Sequence, residues 1–260
     1  MGTLRVATFN VNSIRSRLPH VLDWLQTHQP DYLALQETKV VDDLFPVAPL
    51  EEAGYHVTYR GQKAYNGVAL LSRQPPDLVE FGFDDGLSAD ASRLLRADFG
   101  RLVIVNTYVP QGRAIDHPMF RYKVEWFRRL RDWFDQRLTP RRQVLWLGDM
   151  NVAHDPIDVH NPAERAKHVC YHDDARAAFA GTRAWGFIDT FRLHHPEPGH
   201  YTFFDYRNPN NVDGGKGWRL DYILASPAMA RRCTNAYIDL APRRAPRPSD
   251  HTVLVAEFDR

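Results

Sequence analysis

Val144-Leu145-Trp146-Leu147-Gly148-Asp149-Met150-Asn151 is the stretch on which the fold turns: an apolar run that ends on a carboxylate and, two residues later, an amide. Short apolar runs bounded by turn-forming residues read as β-strands. The same pattern recurs along the chain, with strand-like runs at Leu4–Phe9, Tyr32–Gln36, His56–Tyr59, Gly67–Ser72, Leu94–Asp98, Leu102–Tyr108, Leu220–Ala225, Ala236–Leu240 and Thr252–Phe258. What borders these runs is polar. Asn10 and Asn12 follow the first, Glu37 the second, Tyr108 closes the sixth, Asp221 stands beside Leu220, and Ser249-Asp250-His251 precedes the last.

Helical spacing appears between the strands, over Leu18–His28 with Val21, Leu22 and Leu25 on one face, and over Phe120–Leu138 with Phe120, Val124, Phe127, Leu130 and Phe134. Asp174–Trp185 reads as a third helix. This mixture predicts sheets covered by helices, a layered α/β or α+β fold, and leaves open whether there is one sheet or two. There is no internal repeat, and the Pro- and Gly-marked loops are short, so residues 1–260 read as a single domain.

Composition narrows the class. With 260 residues, 43% apolar and 25% charged, the chain has globular proportions and length enough to bury a large core. Cys170 and Cys233 are far apart and lack metal-ligand spacing, which fits a reducing, cytoplasmic setting. The sequence opens without a targeting signal and has no apolar stretch approaching the ~20 residues of a membrane span. Net charge is +1, so a nucleic-acid partner would have to be met by a local patch. The run Arg113, Arg121, Lys123, Arg128, Arg129, Arg131, Arg137, Arg141 and Arg142 is either such a patch or a solvated helix face. His154, His160, His168 and His172 are irregularly spaced and read as surface residues rather than a second metal site.

Each polar residue at a strand end has an ordinary explanation, because Asn, Asp and Ser form local turns. If the ends converge, however, they gather Glu37, Asp149, Asp221 and Asp250 with Asn10, Asn151 and His251. Carboxylates and amides without thiolates select Mg²⁺ or Mn²⁺. The chemistry such a set suits is attack of water on a phosphodiester, with fixed charges stabilising the pentavalent phosphorus. A GxSxG elbow, a Walker A loop and a GxGxxG turn are all missing from the sequence.

Thr8-Phe9-Asn10-Val11-Asn12, Leu35-Gln36-Glu37-Thr38-Lys39, Asn66-Gly67-Val68-Ala69, Tyr108-Val109-Pro110-Gln111-Gly112, Gly148-Asp149-Met150-Asn151, Phe204-Asp205-Tyr206-Arg207, Arg219-Leu220-Asp221-Tyr222 and Pro248-Ser249-Asp250-His251 follow one another along the chain. Together they resemble the exonuclease III family of AP endonucleases, within the wider endonuclease, exonuclease and phosphatase superfamily. Gly-Asp-Met-Asn and Ser-Asp-His belong to the whole superfamily. Gln-Glu-Thr-Lys, Tyr-Val-Pro-Gln-Gly and Phe-Asp-Tyr-Arg are narrower and point to its DNA-repair branch.

The resemblance implies a four-layer sandwich, two packed mixed β-sheets flanked by helices, with the site at one rim. It implies Mg²⁺, with Mn²⁺ as a substitute, held principally by Glu37 and completed by Asn10, Asp149, Asn151, Asp250 and His251. Asp149 would activate water and Asn151 would donate to the phosphoryl oxygen. Asp221 would orient His251, which would donate to the phosphate or itself activate water, and Tyr108 would lie against the scissile phosphate or leaving group. Lys39, Arg93, Gln111 and Arg207 would contact the DNA backbone. The partner implied is double-stranded DNA with abasic or 3′-blocked ends, bound by a monomer away from any membrane.

Two positions depart from the family pattern. Phe203 stands where Trp would precede Phe204-Asp205-Tyr206-Arg207, and Trp218 stands where a smaller apolar residue is common. Phe203, Phe204 and Trp218 would line the slot for the abasic sugar, or else pack as ordinary core aromatics. The competing readings are a sibling phosphodiesterase acting on RNA, inositol phosphates or lipid headgroups, and a catalytically inert module that binds damaged DNA.

Overall fold

In the computed structural model, which describes residues 2–207 and 211–260, the strand β8 (Gln143–Asp149) is buried on both faces. Successive side chains of a strand point to opposite sides. Leu145 and Leu147 therefore enter one apolar core while Val144 and Trp146 enter another. A strand sandwiched in this way must be apolar at every position, and so its sequence reads as an unbroken run.

Among the described residues the strands form two six-stranded sheets. The first runs β11 (Cys233–Asp239), β12 (Val253–Asp259), β1 (Thr3–Asn10), β2 (Tyr32–Gln36), β4 (Val68–Ser72), β3 (His56–Arg60). The second runs β5 (Leu78–Phe81), β6 (Leu94–Phe99), β7 (Leu102–Tyr108), β8, β10 (Asp221–Ala225), β9 (Ile188–Asp189). Only the β1–β2 and β7–β8 pairs are parallel; the other neighbours are antiparallel. Each parallel pair needs a crossover, supplied by α1 (Ile14–His28) and α3 (Pro118–Arg137). The shorter helices are α2 (Val47–Glu52), α4 (Asp173–Arg183), α5 (Thr190–His194), α6 (Pro227–Ala230) and α7 (Ala241–Arg244).

Three apolar layers hold these elements. Val6, Ala34, Leu70, Leu254 and Ala256 of the first sheet meet Ala97, Ile104, Leu145, Leu147 and Ile223 of the second. Outside the first sheet, Phe9, Leu33, Leu35 and Val255 pack on Val21, Trp24 and Leu25 of α1. Outside the second, Val103, Val105, Val144 and Trp146 pack on Trp126, Phe127, Leu130 and Phe134 of α3 and on Phe179 of α4. The result is a helix, sheet, sheet, helix sandwich, and the sheet count that the sequence left open is two.

A polar bolt crosses the inter-sheet layer. Asn106 in the middle of β7 donates to the carbonyls of Leu35 (3.0 Å) and Ala69 (2.8 Å) in the opposite sheet, and its own oxygen accepts from Gln36 Nε2 at 2.7 Å. All these groups are buried, so their pairing fixes the register of one sheet on the other. Gln36 is the residue before Glu37, and the bolt therefore lies directly beneath the candidate site.

Two sequence expectations need correction. α1 begins at Ile14 rather than Leu18 and carries Pro19 inside it. Proline usually interrupts a helix, which masked the first turn. The basic run is not a uniformly solvated face. Lys123 and Arg129 are buried, and Arg129, Arg131, Arg137 and Arg142 pair with Asp85, Asp135, Glu80 and Asp98 respectively. Most of that positive charge is neutralised within the chain. Among the described residues no helix is long and apolar enough to cross a membrane.

Candidate active site

Register decides which side chains meet. Tyr108, Asp149 and Asp221 are directly paired across β7, β8 and β10, and Asn10 is paired with Gln36 across β1 and β2. Both sheets thus present polar residues at one common rim. Two glycines let the backbones close there. A Cβ on Gly148 would lie 2.0 Å from the Thr107 carbonyl oxygen, and one on Gly67 would lie 2.0 Å from Thr38 Oγ1. Glu37 (φ 52°), one residue beyond β2, and Asn151 (φ 50°), two residues beyond β8, adopt the left-handed conformation. For a non-glycine residue this costs about 1 kcal/mol.

Asn10 ties the two sheets together at the site. Its Nδ2 donates to Glu37 Oε1 at 2.8 Å and to Asp149 Oδ2 at 2.9 Å. Asp149 also accepts from the Asn151 backbone N–H at 2.8 Å and the Asn151 side chain at 3.2 Å. Lys39 Nζ lies 2.6 Å from Glu37 Oε2 and donates to Asn12, whose amide donates to Asp250 Oδ1 at 3.0 Å. Asp221 Oδ2 sits 2.7 Å from His251 Nδ1, leaving Nε2 of that ring 3.7 Å from Asp149 Oδ2. The acids and the imidazole form one contiguous cluster.

Burial is the largest influence on Asp149, and together with the Asp221 and Glu37 carboxylates it raises the group from 3.8 to about 7 against the pull of His251 and Asn10. Burial disfavours a charged His251, yet Asp221, Asp149 and Asp250 raise it from 6.5 to about 10. Burial also presses Glu37 upward, but Lys39, the Asn10 amide and His251 outweigh it and hold that carboxyl below its ordinary value. For Tyr108, burial followed by Glu37 and Asp149 pushes the phenol well above 10. Four carboxylates, Glu37, Asp149, Asp221 and Asp250, thus share the cluster with two basic side chains, Lys39 and His251.

Donor atoms of Glu37, Asp149 and His251 lie within 4.8 Å of one another, near enough to share one ion. With Asn10, Asn151 and Asp250 beside them the set is dominated by hard oxygen, which fits Mg²⁺ or Mn²⁺. Asp221 is engaged with His251 and does not join that group.

The cluster floors a cavity of about 780 Å³ whose wall includes Tyr108, Gln111, Phe203, Arg207 and Trp218. Phe203 packs edge-on against His251, ring centroids 5.1 Å apart, and pairs by backbone with Trp218. Phe204, which the family resemblance placed in the same slot, is buried away from it against Tyr201 and the Gly217 backbone. Arg93 stacks on the Tyr108 ring at 4.8 Å and donates to the Tyr108 carbonyl, and it lines a neighbouring surface depression rather than this cavity. Arg207 is largely exposed and folded onto Asp205.

Sequence reasoning overlooked several contributors. His160, Arg165, His168 and Lys216 line the cavity, and His168 lies over Trp218 with centroids 4.5 Å apart. His160 and His168, read as surface residues rather than a second metal site, are surface residues that line this cavity; isolated basic residues in a loop carry no spacing signal. Lys123 was buried inside a run that looked uniformly basic. Its ammonium donates to the carbonyls of Asn151 (2.6 Å), Val169 (2.8 Å) and Gln111 (3.2 Å), clamping three segments of the rim. Thr202 is another, its Oγ1 accepting from the backbone N–H groups of Leu220 and Asp221.

Comparison with known proteins finds relatives along nearly the whole chain. The model of the endonuclease/exonuclease/phosphatase family matches residues 7–251. Exodeoxyribonuclease III of Haemophilus influenzae is 34% identical over 98% of this chain and all of its own length. A solved AP endonuclease of Archaeoglobus fulgidus superposes with a TM-score of 0.97 at 47% identity, covering 99% of this chain and 100% of that one. A 3′ phosphatase from Neisseria, solved with a product DNA hairpin, superposes with a TM-score of 0.93 at 38% identity, again over 99% and 100% of the two chains.

Proposed function

The chain belongs to the endonuclease/exonuclease/phosphatase family, and on that premise we propose how its rim cluster works. It is a DNA-repair nuclease, a hydrolase of DNA phosphodiesters that incises on the 5′ side of abasic sites and trims 3′ ends. The catalysis depends on a metal ion, which we take to be Mg²⁺ with Mn²⁺ as an alternative, and the whole chain acts as one catalytic domain and as a monomer. A cytoplasmic location fits the two free cysteines.

The observation that carries this reading is the bridging of Glu37 and Asp149, from different sheets, by the single amide of Asn10. Glu37, with Asp149, Asn10, Asn151, Asp250 and His251 around it, would hold the ion. When bound, the ion supplies positive charge to the phosphate and the leaving oxygen. Asp149 takes a proton from the attacking water, a role suited to a carboxyl held high by burial. Its backbone and side-chain bonds from Asn151, and that from Asn10, keep it oriented.

Asp221 fixes the His251 tautomer through Nδ1, so that Nε2–H is free to donate to a phosphoryl oxygen. Asn151 and Tyr108 would support the same oxygens and the leaving group. Lys39, Arg93, Gln111 and Arg207 contact the DNA backbone, while Phe203 and Trp218 receive the extruded abasic sugar, which leaves the helix easily because it has no base to unstack. Phe204 supports that wall from behind.

A duplex with one tetrahydrofuran site, assayed beside a 3′-phosphate duplex and an inositol phosphate in Mg²⁺, tests the proposal. Cleavage of both DNAs without turnover of the inositol phosphate is expected. Preferential turnover of the inositol phosphate would contradict it and favour the small-headgroup reading.

A further inference from the structure

His195-Pro196-Glu197-Pro198-Gly199-His200 follows α5 and lies apart from the strand ends that build the rim cluster. We propose that His195, Glu197 and His200 form a second metal site, structural rather than catalytic, that takes Zn²⁺ or a similarly borderline divalent ion such as Co²⁺. His195 Nδ1 and His200 Nε2 converge on the same carboxylate oxygen, Glu197 Oε1, at 3.2 and 2.8 Å. The three donor atoms lie within 4.8 Å of one another. In a tetrahedral zinc site with bonds of about 2.0–2.1 Å, neighbouring ligand atoms are roughly 3.3 Å apart. The present spacing needs only a small opening to admit the ion.

The ring orientations are fixed from behind. His195 Nε2 lies 2.8 Å from the Ala236 carbonyl oxygen, which can only accept, so that nitrogen carries the hydrogen. In the neutral ring the Nδ1 lone pair then points at a carboxylate oxygen, a contact that becomes favourable with a cation between them. An imidazole ligand whose other nitrogen donates to a backbone carbonyl is the usual arrangement around zinc. Phe191, fully buried, stacks on His195 (4.6 Å, 24°) and meets His200 edge-on (5.4 Å, 68°). Arg192 Nη1 donates to the carbonyls of both His195 and Glu197 at 2.8 Å, pinning the loop backbone.

Two imidazoles and one carboxylate suit zinc better than Mg²⁺, which prefers oxygen throughout. All three side chains are partly exposed, which leaves room for water as a fourth ligand. Position explains what the ion would do. His200 is two residues before Thr202, which accepts from the Leu220 and Asp221 backbone, and three before Phe203, which packs on His251. Closing the loop on a metal ties the end of α5 to the segment that supports the Asp221–His251 pair.

The test is equilibrium binding of Zn²⁺ to the full-length protein in saturating Mg²⁺, which competes for the oxygen-rich rim, with Co²⁺ absorption as a second readout of tetrahedral coordination. One equivalent of Zn²⁺ is expected to remain bound through gel filtration and to raise the midpoint of thermal unfolding. His195→Ala and His200→Ala should each weaken that binding at least tenfold, and Glu37→Ala should leave it unchanged. Glu197→Gln keeps a hydrogen-bond acceptor and serves if a histidine variant fails to fold; it should weaken Zn²⁺ binding while retaining the native circular dichroism. No retained Zn²⁺, or retention equal in wild type and Glu197→Gln, would overturn the proposal.

Discussion

Lys123→Met is the substitution whose consequences the structure lets one work out most fully. The ammonium is fully buried and has carbonyl acceptors at 2.6, 2.8 and 3.2 Å, from Asn151, Val169 and Gln111. Burial holds the amine below its ordinary 10.5. Methionine keeps the length of the stem but deletes all three bonds. Hydrogen bonds to a charged partner contribute about 1.5–3 kcal/mol each, a gross loss of roughly 5–9 kcal/mol. Relief from burying an ammonium returns several kcal/mol. The net destabilisation is then about 2–4 kcal/mol, or a fall of roughly 4–8 °C in the unfolding midpoint for a chain of this size.

The same carbonyls belong to the segments carrying Asn151 and Gln111, so turnover should fall as well. Urea unfolding gives the stability, and cleavage of a tetrahydrofuran duplex well below the midpoint gives the rate. We expect at least a tenfold loss in kcat. A variant within about 0.5 kcal/mol of wild type and with normal turnover would refute the idea that this ammonium clamps the rim.

Three further outcomes follow from the geometry. Asp221→Asn and His251→Ala should each slow cleavage, and the double substitution should cost little more than the worse single one, because the pair acts through one hydrogen bond; additive losses in single-turnover rate would argue against that coupling. Trp218→Leu should change the ratio of abasic-site to intact-nucleotide cleavage more than it changes 3′-phosphate hydrolysis, and an equal fall in all three reactions would assign the ring to packing alone. Asp158 is fully buried between Arg219 and Arg192. Burial would raise its carboxyl, but the two guanidiniums outweigh it and hold the group at about 2 against 3.8. The folded chain therefore binds that proton less readily than the unfolded one, and a stabilisation of about 2 kcal/mol is complete above about pH 4 and lost as the pH falls through 2. The urea-midpoint difference between wild type and Asp158→Asn should shrink over that interval; a constant difference would contradict it.

Much of the fold is legible because its inner strands are buried on both faces and carry apolar residues at every position, as in β2, β7 and β8. β5 and β9 were missed for the opposite reason. Both are short edge strands, and Leu78 in β5 is exposed. Sheet order was beyond the sequence, since the parallel β1–β2 and β7–β8 pairings are long-range choices that no local pattern records.

At the site, residues closing a strand were visible as breaks in an apolar run: Asn10, Glu37, Asp149. Lys123 was misread because a count of charges ignores direction, although its spacing from Phe120 and Phe127 places it on the apolar face of α3. Asn106, a lone amide inside Leu102–Tyr108, left a similar trace of the bolt between the sheets. The His195, Glu197 and His200 group left less, because its convergence depends on a turn at Gly199 and a carbonyl from β11.

The most direct test of the central claim is the single-turnover rate of Asp149→Asn on a duplex with one tetrahydrofuran site at saturating Mg²⁺. The substitution keeps the shape of the side chain and removes the charge that accepts the proton. A loss of about 10³-fold or more with DNA binding retained is expected. A rate within tenfold of wild type, from protein whose mass confirms the substitution, would show that Asp149 does not activate the water.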